Sequence, residues 1–166
     1  ALLHPAVRIN PAARRAILGA DLVVIGPGDL YTSLVPNILV RGTKRALART
    51  KAKVVYIVNL MTKFGETNNF RASDFLRAME RYAGVGVIDY VVASSGKPKP
   101  SRLKPYTAER AFWVKADTEN FARRGLPGRR TSRETRPILI LGNLVRQRGF
   151  IRHDPLKTAK LIWTLV

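Results

Sequence analysis

Two short apolar runs stand out from an otherwise mixed chain, Leu22-Val23-Val24-Ile25 and Val54-Val55-Tyr56-Ile57-Val58. Both are rich in β-branched residues and both stop at turn-forming or polar residues, the pattern of a strand buried on two faces. Val87 to Ala93 and Ile138 to Leu141 read as a third and a fourth strand. Between the strands the period changes. Thr32 to Thr50 turns helical, with Leu34, Ile38 and Leu39 before Gly42 and Lys44 to Arg49 after it. Ser73 to Tyr82 places Phe75, Leu76 and Met79 on one face, with Ser73 expected as the cap and Asp74 at the positive helix end. Ala12 to Leu18, closed by Gly19, predicts a short helix ahead of the first strand. Pro155 to Val166 predicts a closing helix with Leu156, Ala159, Leu161 and Ile162 as core positions.

Strands alternating with helices at this spacing predict βαβ units, hence an α/β fold with a mostly parallel sheet. Right-handed crossovers are expected to put helices on both faces. At 166 residues the chain is one domain's worth, residues 1–166, and long enough to bury roughly two-thirds of its unfolded surface. It begins at Ala1 without Met, so a trimmed or partial chain is expected. No apolar run approaches the roughly 20 residues needed to span a bilayer, and no signal-peptide pattern opens the chain.

Composition narrows the chemistry. The chain has no cysteine, which removes disulfides, thiolate zinc sites and a cysteine nucleophile together. With only His4 and His153, a histidine-rich metal cage is excluded too, and no metal site is read from the sequence. A reducing, cytoplasmic setting is the expectation. Thirty Lys and Arg against eleven Asp and Glu give a net charge of +19, an excess that favours phosphorylated or polyanionic partners. The segment 97–136 carries twelve of those bases against four acids, together with Pro98, Pro100, Pro105 and Pro127. Its stretch Arg123 to Arg130 reads as a basic, solvated loop.

The first candidate site is Gly26-Pro27-Gly28-Asp29-Leu30-Tyr31-Thr32-Ser33. It follows a buried strand and precedes a helix. Glycine lets a ligand approach the backbone, and a helix start offers unpaired N–H groups suited to phosphate. Thr32 and Ser33 add hydroxyls. The plainer alternative is a tight strand-to-helix turn capped by Thr32 or Ser33. The second candidate is the polar loop Asn59 to Phe70, after the second strand and therefore on the same sheet edge. Asn59 and Thr62 suit amide or hydroxyl groups of a ligand, and Glu66 suits a sugar hydroxyl. Two polar loops at neighbouring strand ends favour a ligand cleft. In His153-Asp154, the histidine just before the closing helix reads as a cap or a hydrogen-bonded structural residue.

The same segments resemble a known family. Gly26 to Ser33, followed by Pro36 and Asn37, is similar to the GPGSLYTS…PN signature of the YvcK-type gluconeogenesis-factor family. Asn59-Leu60-Met61-Thr62 with Gly65-Glu66-Thr67 resembles its NLMTQPGET loop, and Arg152-His153-Asp154-Pro155 its RHDP element. Ala72-Ser73-Asp74 and Ile88-Asp89-Tyr90-Val91 continue the likeness in register. It covers most of residues 16–94 and returns near 138–162. The resemblance implies a Rossmann-like three-layer fold binding a nucleotide sugar such as UDP-N-acetylglucosamine. Phosphate contacts would then fall to Gly26, Pro27, Gly28, Asp29, Thr32, Ser33 and Asn37, and sugar or nucleoside contacts to Asn59, Thr62, Gly65, Glu66 and Thr67. The implied role is regulatory, at the junction of carbon metabolism and cell-wall precursor supply, with no catalytic reaction firmly attached to that branch.

Three departures bear on that expectation. Asp29 stands where the signature has Ser, Phe64 replaces a Pro, and Asn68-Asn69-Phe70 replaces an Asp-Gly-Tyr-like stretch. Family members also open with a strand and a GGTG-type loop, and nothing of that kind precedes Ala1. The chain is therefore expected to correspond to the carboxyl-terminal half to two-thirds of a family member, lacking the first βα unit. The sheet edge so exposed invites association into a homo-oligomer.

Two other functions fit parts of the sequence. The wider superfamily includes CofD transferases, which move a 2-phospholactyl-type group onto a deazaflavin, and magnesium would belong to that reading. General acid–base work there would draw on Asp29, Glu66 or Asp74. A nucleic-acid binder would use the charge, with Tyr106, Phe112, Trp113 and Phe121 as stacking residues in the basic segment.

Overall fold

In a computed structural model, residues 7–122 and 137–165 are described. Four strands, β1 (Leu22–Ile25), β2 (Lys53–Ile57), β3 (Tyr90–Ser94) and β4 (Ile138–Gly142), lie side by side in chain order. All pairings are parallel, with Val24 beside Val55, Tyr56 beside Val91 and Val92 beside Ile140. The helices are α1 (Pro11–Gly19), α2 (Val35–Leu39), α3 (Thr43–Arg49), α4 (Ala72–Ala83), α5 (Pro100–Ala108), α6 (Thr118–Ala122) and α7 (Pro155–Trp163). No described helix is long and apolar enough to cross a membrane.

The strands alternate between two cores, as side chains two apart share a sheet face. Val54, Tyr56, Val58, Val91 and Ala93 pack with Val35 and Ile38 of α2 and with Phe75, Leu76 and Met79 of α4. Val55, Ile57 and Val92 point the other way, against Leu144 and against Leu161 and Ile162 of α7. Three layers result, by a route that corrects one expectation. Strands laid down strictly in order, each joined by a right-handed crossover, carry those crossovers on one face. Helix α7, which is not a crossover, supplies the opposite layer.

Local details depart from expectation for identifiable reasons. Ser73 does not cap α4; its hydroxyl donates to the buried Asp117 at 2.5 Å, and Arg71 holds the cap position. Asp74 does serve the helix start, accepting the Arg71 N–H at 2.8 Å. In α7 the inward stripe runs through Thr158, Leu161 and Ile162, at i, i+3 and i+4, and Leu165 just beyond the helix extends it. Leu156 is consequently 74% exposed and Ala159 is exposed as well, so neither is core. The described first half of the basic segment 97–136 is not loop alone, for α5 begins with Pro100 at its first turn, where a missing N–H costs nothing. Arg123 to Arg136 lie outside the described residues.

Candidate functional site

β1 ends at Ile25, and the chain turns through Gly26, whose φ of 84° lies in the left-handed region. A Cβ at this position would stand 3.0 Å from the Ile57 carbonyl oxygen, so the turn runs tight against the end of β2. The helix that follows opens on a wide turn in which the Leu34 N–H reaches back to the Asp29 carbonyl at 3.0 Å. The Asp29 carboxylate makes no capping bond to that turn.

Instead, Asp29 reaches the second loop. Its Oδ2 accepts from Lys63 Nζ at 2.7 Å and from the Thr32 hydroxyl at 3.5 Å, and the same ammonium pairs with Glu66 Oε1 at 2.7 Å. Hydrogen bonds that the ammonium donates to Asp29 and then Glu66 push the Lys63 pKa up, against a smaller opposing effect of desolvation. The ammonium therefore persists well beyond neutral pH. The second loop is stapled from within: Thr67 Oγ1 accepts the Lys63 N–H at 2.9 Å and Asn68 Oδ1 accepts the Gly65 N–H at 3.0 Å. Thr62 pins a third segment, its N–H donating to the Phe112 carbonyl at 2.7 Å and its hydroxyl accepting the Phe112 N–H at 2.8 Å.

Between these loops lies a cleft of about 550 Å³, within the ordinary range for small-molecule sites. Pro27, Gly28 and Asp29 line it from the first loop, Asn59 to Phe64 from the second, and Arg152 and His153 from the segment before α7. Of the residues read from sequence, Pro27, Gly28, Asp29, Asn59 and Thr62 border the cleft, and Thr32 and Glu66 join it through Lys63. Gly26, Ser33, Asn37, Gly65 and Thr67 are not on its wall. Asn37 gives its amide to the Ser33 carbonyl at 2.6 Å, while Thr67 is buried under the loop it staples. Two acceptors in this region, Asn59 Oδ1 and Glu66 Oε2, are buried with no hydrogen-bond partner. Such atoms are costly to leave unmet and suit a ligand that brings donors.

Four charged or titratable participants were not among the sites read from sequence: Lys63, Glu109, Arg152 and His153. Lys63 sat inside the quoted loop, but a loop lysine carries no signal of its own. His153 is brought in by an antiparallel bridge to Val145, and its Nε2 stands 3.2 Å from the Val58 carbonyl at the end of β2. Burial pushes its pKa down, more than the Val58 contact raises it, so the ring is neutral at pH 7. The reading of His153 as a hydrogen-bonded residue agrees with its Val58 contact, and the neighbouring Asp154 caps α7 by accepting the Lys157 N–H at 3.1 Å. His153 meanwhile faces the cleft.

The proposed stacking residues are mostly spoken for. Tyr106 and Trp113 pack against Leu60, Val145 and Ile151, and Phe121 packs against the main core. Phe112 alone of the four is exposed. Among the described residues no group of three or more His, Cys, Asp or Glu is placed to hold a metal ion. The Asp29 and Glu66 carboxylates are both engaged by Lys63.

Fold and cleft together define an α/β protein with a ligand cleft at the carboxyl ends of adjacent parallel strands, where open α/β sheets hold their ligands. The profile of the family described as 2-phospho-L-lactate transferase CofD matches residues 2–132. The chain belongs to that family. It is 35% identical over 157 residues to the gluconeogenesis factor of Bacillus subtilis, covering 94% of this chain and 46% of that one. The gluconeogenesis factor of Halalkalibacterium halodurans is 45% identical over 103 residues, 61% of this chain and 32% of the relative. A crystal structure from Bacillus halodurans, of a member of the upf0052 family, superimposes with a TM-score of 0.84 at 32% identity. That match takes in 94% of this chain and 47% of the other, so the chain spans about half the length of such relatives.

Proposed function

We propose that the cleft binds a nucleotide sugar of the UDP-N-acetylglucosamine type and that the protein acts as a regulatory binder linking carbon metabolism to cell-wall precursor supply. One observation carries this reading: loops from two adjacent strands meet at the Lys63 ammonium, in a cleft also lined by Asn59, whose Oδ1 is unpartnered. The ammonium and Arg152 suit a diphosphate, and Asn59 and Glu66 suit the hydroxyl and amide donors of a sugar. Similarity to gluconeogenesis factors supports the regulatory role. Isothermal titration with UDP-N-acetylglucosamine tests the binding. A saturable one-to-one heat is expected, and silence with every UDP-sugar and dinucleotide contradicts it.

A second reading has its own support. The family description names a 2-phospho-L-lactate transferase, and a neutral His153 faces the cleft, as a general base must. Turnover of a phospholactyl or phosphoenolpyruvyl donor, lost in His153→Gln, is what this reading requires.

A further inference from the structure

Beside the main cleft lies a smaller recess of about 210 Å³, walled by Phe64, Asn68, Asn69, Arg110 and Phe112. Phe64 borders both spaces, so the two are neighbours on either side of one loop residue. Phe64 is 53% exposed and Phe112 is 51% exposed. Single exposed apolar residues are ordinary. Two phenyl rings and a guanidinium walling one recess next to a cleft lined by Lys63 and Arg152 are a different matter.

The recess is held in shape. Both hydrogen bonds between Thr62 and Phe112 tie one wall to the other, and Asn68 is fixed through Gly65. Asn69 and Arg110 carry φ of 60° and 52°, the left-handed region that most side chains avoid. The Arg110 guanidinium carbon lies 4.8 Å from the Phe64 ring centroid, so a flat cation covers a flat ring. Asn68 uses its carbonyl on Gly65, which leaves its amide N–H groups as donors.

We propose that Phe64, Phe112 and Arg110 seat the planar ring of a nucleobase, belonging to the same ligand whose phosphates meet Lys63. The claim rests on the nucleotide reading of the main cleft and goes beyond it by placing the base. Lys63 and Phe64 are consecutive, so one loop presents an anion contact and a stacking face side by side. Phenyl and guanidinium faces stack bases with little regard to identity, and the Asn68 amide adds an edge contact.

The test uses the protein with 13C-labelled phenylalanine rings, assigned with Phe64→Leu and Phe112→Leu, and three probes: uridine, UMP and inorganic pyrophosphate. Thermal melts confirm that both variants fold, as expected for exposed positions. Millimolar uridine and UMP should shift the Phe64 and Phe112 ring signals saturably. Each variant should weaken UMP at least about fivefold, and Phe112→Leu, which lies outside the main cleft, should leave pyrophosphate affinity unchanged. Rings that respond to neither uridine nor UMP overturn the proposal, as does UMP affinity equal in wild type and both variants. If pyrophosphate fails to bind but uridine still shifts the rings, the diphosphate reading falls and the base seat stands.

Discussion

Lys63 and Asp29, 34 positions apart in the chain, join at 2.7 Å across the two loops that end β1 and β2. This contact closes the gap between the candidate segments and gives the proposed diphosphate seat its nearest positive charge. It also compromises that charge. Asp29 and Glu66 together place two carboxylates on one ammonium, and an incoming phosphate must compete with both.

Replacing Asp29 with Ser, the residue of the resembling signature, should therefore improve anion binding. Removing one like charge close to the phosphate is expected to tighten pyrophosphate and UDP-sugar binding roughly three- to tenfold at low salt. Titration calorimetry at two ionic strengths checks this. Weaker binding in Asp29→Ser means that the carboxylate serves the ligand rather than restraining Lys63.

Much of this arrangement was legible in the sequence because its cause is local. Four β-branched runs, each bounded by turn residues, gave the strands to within a few residues, and a parallel sheet necessarily brings their carboxyl ends to one edge. Gly26 and Gly28 after β1 and the polar run after β2 thus located the cleft's two main walls. What was not legible depends on long-range packing. Nothing near His153 announces that the Val145 bridge will carry it to the end of β2. Nothing near Ser73 says that Asp117, 44 residues on, will claim its hydroxyl. The face of α7 was misread at Leu156 because apolar character alone does not fix a helix's rotation, whereas Thr158 could turn inward by donating its hydroxyl to the Asp154 carbonyl at 2.7 Å.

Asp117 is fully buried and anchors the start of α4. Burial pulls its pKa upward, but hydrogen bonds from the Asn120 amide and from the Ser73 hydroxyl and N–H outweigh it, so the net direction is down. A carboxyl lowered in the folded state stabilises the fold above its unfolded value, near pH 4, and that contribution is lost as pH falls further. Asp117→Ala should cost about 1–3 kcal/mol at pH 7, read from urea unfolding, by leaving the buried Ser73 donors unmet. It should also flatten the acid limb of the stability profile. An unchanged midpoint means that water replaces the carboxylate without loss.

His153 titrates in a different window. Its folded-state pKa lies below the ordinary value because burial disfavours the imidazolium. The unfolded chain therefore takes up a proton first, and stability should decline as pH drops below about 6.5. Urea midpoints at pH 7.5 and pH 5.5 should differ more in wild type than in His153→Gln. Equal differences in the two proteins show that other groups carry the effect.

Two glycines separate backbone strain from steric contact. Gly26 and Gly65 have nearly equal φ, 84° and 82°, yet an added Cβ meets the Ile57 carbonyl at 3.0 Å in the first case and nothing within 4 Å in the second. Gly65→Ala should lose about 1 kcal/mol of stability, the ordinary cost of a left-handed side chain. Gly26→Ala should lose more, about 2–3 kcal/mol, and should weaken ligand binding by shifting the first loop. Similar losses at the two sites imply that β2 yields to the new methyl group.

Equilibrium dialysis with labelled UDP-N-acetylglucosamine, comparing wild type with Lys63→Met, tests the central claim most directly. Saturable binding that pyrophosphate displaces, and that falls at least about tenfold in the variant, is the predicted result. Binding of equal strength in both proteins, or none in wild type, contradicts the assignment of the cleft to a diphosphate ligand.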